Sequence, residues 1–214
     1  MKKDSPLGMI AILTMICATS ALSLGFIYMA TKDKIAGETK KAIEESLVKV
    51  IPDAHPQGFE KIETKTKEGD FVYYKAYDKP LDSEDKKLVG YATTGKSKGY
   101  SSEIIVMVGV DSELKKFKGV KVLSQKETPG LGTQCQEEKV DKKLWAPTAD
   151  PGKPKCWTDQ FEGKEIEGLK IVKENNDKDI VAITGATITS KAVLNAATND
   201  AIRKLKEVLN RDSN

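Results

Sequence analysis

Ile104-Ile105-Val106-Met107-Val108-Gly109-Val110 is an apolar run rich in β-branched residues and closed by Asp111. Runs of this length and composition form strands. Three more surround it: Phe71-Val72-Tyr73-Tyr74, Leu88-Val89-Gly90-Tyr91-Ala92 and Val120-Lys121-Val122-Leu123, each bounded by Gly, Lys, Asp or Ser. The intervals are too short for helical crossovers between parallel strands. The expected core is therefore an antiparallel meander in one sheet, and the expected fold class is α+β.

Downstream, Ile180 to Ile183 reads as a buried strand leading into Thr184-Gly185-Ala186-Thr187-Ile188-Thr189-Ser190. A helix follows, because Leu194, Ala197, Ala201, Ile202, Leu205, Val208 and Leu209 recur at intervals of three and four, with Lys204, Lys206, Glu207 and Arg211 on the other side. Thr189 or Ser190 is the expected N-cap. A hydroxyl on a small-residue turn at a helix start has the shape of a phosphate site. Amides and the positive end of the helix dipole converge there, and Gly185 and Ala186 let the backbone approach closely. The same residues also read as nothing more than a capped helix after a strand.

Upstream, no charged residue lies between Asp4 and Lys32. As a helix this stretch reaches roughly 40 Å, enough to cross a bilayer with some tilt. Lys2 and Lys3 with Ala18-Thr19-Ser20-Ala21 also suggest a cleavable signal peptide, but the apolar run is too long for one, so a retained anchor is expected. Lys32, Lys34, Lys40 and Lys41 balance Lys2 and Lys3, so flanking charge does not set the orientation. Ile35 to Val50 reads as a further helix ending before Pro52. The expected organisation is a tail over 1–6, a transmembrane helix over 7–31, a helical connector over 32–60 and a folded domain over 61–214.

The chain has 214 residues, 39% hydrophobic and 31% charged, which suffices for one core besides the anchor. A net charge of +3, interleaved and without an aromatic-basic stripe, argues against nucleic acid as a partner. Between Gly132 and Gly163 periodicity is lost among Pro147, Pro151, Gly152 and Pro154. Cys135 and Cys156 in this stretch are either free thiols or a disulfide closing a loop of about 20 residues, worth about 3 kcal/mol. They are too few for a structural metal or cluster site, and Cys17 falls in the apolar span. The single histidine, His55, has no Cys/His/Glu cluster in sequence and reads as a loop residue. Glu127, Glu137, Glu138 and Asp141 form no acid-base pair by spacing, Glu137-Glu138 reads as a solvated face, and no catalytic residue is expected.

A second motif, Glu127-Thr128-Pro129-Gly130-Leu131-Gly132, follows the last strand of the meander. Together with Gly99-Tyr100 ahead of Ile104 to Asp111, and Thr184-Gly185-Ala186-Thr187 before the last helix, the arrangement resembles the FMN-binding domain family. The likeness is to the G subunits of Rnf electron-transport complexes and, more distantly, to the C subunits of sodium-translocating NADH:quinone oxidoreductases. It covers nearly the whole chain. The family's attachment motif often has an aspartate three residues before its first Ser/Thr, where this chain has Val181, with Asp179 two places earlier.

The resemblance implies FMN held covalently, by a phosphoester to the final threonine of Gly-Ala-Thr, here Thr187. It implies that Thr184, Gly185, Ala186, Ile188 and Thr189 surround the phosphate, with the Thr184 and Thr189 hydroxyls donating to it. Glu127, Thr128, Leu131 and Gly132 should lie against the flavin. With no activating base in sight, attachment implies a separate flavin transferase. It further implies a single-pass protein of the inner or plasma membrane with its C-terminal domain on the extracytoplasmic side. Its activity would be that of an electron relay in a translocase coupling ferredoxin:NAD oxidoreduction to sodium or proton transport. The partners would be a polytopic FMN subunit, an integral membrane pair, and subunits handling ferredoxin and NAD. The alternatives are the C subunit of a quinone reductase, a membrane-anchored FMN-binding sensor, and a structural domain whose Thr-Gly-Ala-Thr only starts a helix.

Overall fold

The computed structural model describes residues 6–66, 68–137 and 156–212. Lys2, Lys3 and Asp4, and Glu138, Asp141, Pro147, Pro151, Gly152 and Pro154, lie outside the described residues. The chain divides into two compact units, Met1–Ile43 and Glu44–Asn214.

The first unit is helical. Helix α1 (Pro6–Val50) begins in it and ends in the second. Its stretch Pro6–Lys32 is, among the described residues, the one helix long and apolar enough to cross a membrane. Large side chains such as Leu22 and Phe26 are exposed on it. Its threonine hydroxyls are satisfied within the helix: Thr14 Oγ1 donates to the Ile10 carbonyl at 2.9 Å and Thr31 Oγ1 to that of Ile27 at 2.8 Å. This is the arrangement a hydrocarbon surrounding requires. The helix expected over Ile35 to Val50 is the continuation of the same element. No proline interrupts it before Pro52, which stops it two residues past Val50.

The second unit is built on β1 (Phe59–Thr66), β2 (Gly69–Tyr77), β3 (Leu88–Lys98), β4 (Glu103–Asp111) and β5 (Phe117–Ser124). They lie in the order β1-β2-β3-β4-β5, each pair antiparallel, as the spacing of the apolar runs requires. Strand β1 falls across the boundary drawn between connector and domain. Its sequence alternates charge with little apolar content (Glu60, Lys61, Glu63, Lys65), which suits an edge strand facing water but leaves no apolar run to read.

Strand β4 is buried on both faces. Ile104, Val106, Val108 and Val110 join one core with Val193, Ala197, Ala201, Ile202, Leu205 and Val208. On the other face, Gly109 of β4 pairs with Gly119 of β5, and both lie under the last turn of α1. A Cβ on Gly109 would come 2.3 Å from the Val50 carbonyl oxygen, and one on Gly119 would come 3.0 Å from Val50 Cα. The missing side chains thus let the buried residues Leu47, Val50 and Ile51 press against the sheet.

A second sheet accompanies the meander: β6 (Ile171–Val172) and β7 (Ile180–Val181), parallel to each other. The strand expected over Ile180 to Ile183 is therefore shorter than its apolar run. Side chains take up its edge, with Trp157 Nε1 donating to the Val181 carbonyl at 2.7 Å and Gln160 Oε1 accepting the Val181 amide at 3.0 Å. The chain ends in α2 (Thr187–Asn195), a π-helical segment Ala196–Ile202 and α3 (Arg203–Asp212). The apolar seam read from the sequence is buried along all three, except for Leu209, which is half-buried. The π segment is matched by Gly95 of β3, where a Cβ would lie 2.1 Å from the Ala196 carbonyl oxygen. Asp200 in that segment accepts the Lys96 amide at 2.9 Å, which pins the helix to the sheet.

Candidate functional site

The chain reaches α2 from β7 through a tight turn. Gly185 adopts φ +76°, in the left-handed region that favours glycine, and a Cβ there would meet Leu131 Cδ2 at 3.1 Å. The helix begins at Thr187, so the N-cap expected at Thr189 or Ser190 is corrected. Both lie inside the first turn, and Ala186 holds the cap position with no side-chain hydrogen bond. Ser190 secures the turn from within, its Oγ accepting the Ile183 amide at 2.9 Å and donating to the Ala186 carbonyl at 3.0 Å. A Ser, Thr, Asp or Asn cap would have taken one of the first-turn amides. Alanine leaves those of Thr187, Ile188 and Thr189 without an intrahelical acceptor, at the positive end of the helix dipole.

This helix start opens into a cleft of about 520 Å³. One wall is Gly185, Ala186, Thr187, Ile188 and Thr189; the other is Glu127, Thr128, Leu131 and Gly132, with Tyr100 beside them. Two motifs more than fifty residues apart in sequence thus form one site. Thr184 is exposed and does not line the cleft. Tyr100 belongs to the Gly99-Tyr100 pair, to which the sequence assigns no separate role. It is 70% exposed, and with Leu131 at 44% and Ile188 at 54% it surrounds the cleft with accessible apolar surface.

Glu127 is a strut between the walls. It is 6% exposed, and its carboxylate accepts the amides of Tyr100, Ser101 and Ser102 at 3.2, 3.0 and 3.1 Å and the Thr189 hydroxyl at 2.6 Å. Gly99 and Gly132 make room for it. A Cβ on either would come 2.6 Å from Glu127, at Oε1 and Cβ respectively. Burial pushes this carboxyl up, but the hydrogen bonds from Thr189 and the three amides outweigh burial and hold it below the usual carboxylate range. Thr189, expected to donate to a phosphate, here gives its one hydroxyl proton to Glu127 and is 1% exposed. Gly130, at φ +73°, shapes the second wall, with its amide donating to Thr133 Oγ1 at 3.0 Å and its carbonyl accepting Gln134 Nε2 at 2.6 Å.

Among the described residues, Glu127 is the one charged side chain lining the cleft, and no Lys, Arg or His lines it. His55 sits in the turn after α1, half-buried, its Nδ1 accepting the Gln57 amide at 3.1 Å. Cys135 and Cys156 are brought together as buried free thiols, Cys156 Sγ donating to the Cys135 carbonyl at 3.9 Å. No group of three or more His, Cys, Asp or Glu among the described residues is placed to hold a metal ion.

The family model of the FMN-binding domain matches residues 99–202, a span that contains both walls of the cleft and Tyr100. The chain is 33% identical to the G subunit of the ion-translocating oxidoreductase complex of Aliivibrio fischeri strain MJ11, over 92% of this chain and 86% of that protein. It is 28% identical to the G subunit of the proton-translocating ferredoxin:NAD(+) oxidoreductase complex of Clostridium ljungdahlii, over 85% of this chain and 82% of that one. Among solved structures, NqrC of Shewanella oneidensis is 24% identical and covers 63% of this chain and 60% of its own, with a TM-score of 0.42. The alanine-started helix and the Glu127 strut are thus the local architecture of a chain that belongs to the G-subunit family of ion-translocating oxidoreductase complexes, whose FMN-binding domain it carries.

Proposed function

We propose that this chain is the FMN-carrying electron-transfer subunit of a membrane-bound, ion-translocating ferredoxin:NAD oxidoreductase, with the flavin phosphate esterified to Thr187. The observation that carries the reading is the start of α2: a half-buried threonine at the first helical position, uncapped amides around it, and a cleft in front of it. A phosphate accepts from these amides and is favoured by the helix dipole. Charge supports attachment over reversible binding. A phosphomonoester is close to a dianion at neutral pH, and the described lining of this cleft offers a carboxylate and no basic side chain. A diester carries less charge, and its covalent bond makes a cationic clamp unnecessary.

Bound FMN supplies one-electron redox chemistry, its potential tuned by nearby hydrogen bonds and charge. The protein's part is to hold and shield. Tyr100, Leu131 and Ile188 offer apolar surface that suits an isoalloxazine ring, and Gly185 and Gly132 keep the backbone walls open. Glu127 is committed to Thr189 and the amides of Tyr100, Ser101 and Ser102, so it is not the base that activates Thr187. Attachment is accordingly assigned to a separate transferase. The apolar segment Pro6–Lys32 anchors the chain, the flavin domain faces the extracytoplasmic side, and the partners are the other subunits of the complex.

The test is to express the full chain with a flavin transferase, denature it in acid, and look for flavin fluorescence in the gel band and added mass on the peptide containing Thr187. Wild type and Thr187→Ser are expected to carry flavin, and Thr187→Val to lose it while remaining folded. A colourless wild-type band would reduce the motif to a helix start. In membranes holding the whole complex, Thr187→Val is expected to abolish ferredoxin-dependent NAD reduction; intact activity would remove the relay role.

A further inference from the structure

Cys135 and Cys156 lie away from the flavin chemistry, yet each is tied to one wall of the cleft. Cys135 closes the 3-10 turn Gly132–Cys135, which continues directly from the cleft residues Leu131 and Gly132. Cys156 opens a second turn, Trp157–Phe161, and its amide is held by Asp159 Oδ2 at 2.8 Å. That turn grips β7 through Trp157 and Gln160, and β7 leads straight into the wall carrying Thr187.

We propose that Cys135 and Cys156 are a dithiol/disulfide pair whose bond staples the two walls of the cleft together. In the structure they are thiols, 0% and 7% exposed, with Cys156 Sγ against the Cys135 backbone carbonyl. Cys156 is the entry thiol: it keeps the residual exposure that Cys135 lacks, and its sulfur accepts the Thr158 hydroxyl at 3.3 Å. Burial, reinforced by the neighbouring Cys156, pushes the Cys135 thiol up to about 12, which suits it to act second. The oxidant is a small-molecule or protein disulfide. The Cys156 thiolate attacks it, forming a mixed disulfide and releasing one thiolate. Cys135, on losing its proton, displaces the second thiolate and forms the Cys135–Cys156 bond. Two electrons pass to the oxidant, whose disulfide becomes two thiols, and the protein's two thiol protons are released to solution or to those thiolates. An oxidising compartment holds the pair closed and a reducing one opens it. The pair operates whether or not flavin is attached.

The test uses the full chain in detergent, equilibrated with glutathione and glutathione disulfide at a series of ratios, quenched in acid, alkylated in denaturant and mapped by peptide mass spectrometry. Cys135 and Cys156 are expected to lose alkylation together in one two-electron transition and to appear as one cross-linked peptide pair, with Cys17 outside the transition. Independent titration of the two thiols, or mixed disulfides alone at every ratio, including after refolding in glutathione disulfide, would overturn the pairing. Thermal unfolding tests the staple. The oxidised chain is expected to melt on the order of 5–10 °C above the reduced one, and Cys135→Ser and Cys156→Ser are each expected to erase that difference. Equal midpoints in a chain shown to be cross-linked would refute a stapling role.

Discussion

Glu127 shows how one side chain organises this site. Its carboxylate terminates three backbone amides and a hydroxyl, from segments that meet only in the folded chain. Glu127→Gln offers one acceptor oxygen in place of two and leaves buried donors facing an amide nitrogen. The expected cost is about 2–3 kcal/mol, read as a lower urea midpoint at unchanged slope. The sign with pH follows from the depressed folded pKa. The stabilisation is fully present above the unfolded carboxylate range and is lost as pH falls through the lower folded value, so wild type is expected to lose stability in acid more steeply than Glu127→Gln. Thr189→Val removes the 2.6 Å donor and is expected to cost about 1–2 kcal/mol while flavin still attaches at Thr187; Thr189→Ser should restore stability. Loss of flavin in Thr189→Val at full stability would instead make Thr189 a phosphate ligand. Glu127 is singled out in the sequence by the family resemblance, since its Pro-Gly motif alone reads as a turn. Its partners are not, because a carboxylate bound by amides of residues 100–102 has no local signature.

At the scale of elements, close backbone approaches decide what packs where. Gly109 and Gly119 form a cross-strand pair under Val50, and Gly95 admits the Ala196 carbonyl at the start of the π segment. Gly109→Ala places a methyl 2.3 Å from the Val50 carbonyl oxygen, so the last turn of α1 must lift off the sheet. The expected destabilisation is about 3 kcal/mol, measured by chemical denaturation, and an unchanged midpoint would show that this contact is dispensable. Gly185→Ala combines an unfavourable φ with a contact on Leu131, so it is expected to cost about 1–3 kcal/mol and to lower flavin incorporation more than its stability loss accounts for. The apolar runs of β2 to β5 and the seam of the last helix are plain in the sequence. Strand β1 is not, because an edge strand needs no apolar run. The π segment is hidden too, because it keeps the same buried residues while changing the hydrogen-bond pattern.

For the whole molecule, the division at Glu44 separates an apolar helix from a domain with its own core. A chain starting at Glu44 is expected to be monodisperse without detergent and to keep its fold. One starting at Pro52 loses Leu47, Val50 and Ile51 from the sheet face and is expected to melt well below it, both checked by gel filtration and thermal unfolding. Comparable midpoints would mean that the end of α1 contributes nothing to the domain. The apolar span, the antiparallel meander, the final helix and the threonine at its start can all be read from the order of residues alone. They depend on patterns within a few residues, namely periodicity, run length and a small-residue turn. Three features emerge only on folding: Ala186 leaves the helix start uncapped, Thr189 donates its hydroxyl to Glu127, and Tyr100 joins the cleft. The last two rest on contacts between residues distant in the chain, and the first on where the backbone turns into the helix; local residue patterns carry no record of either.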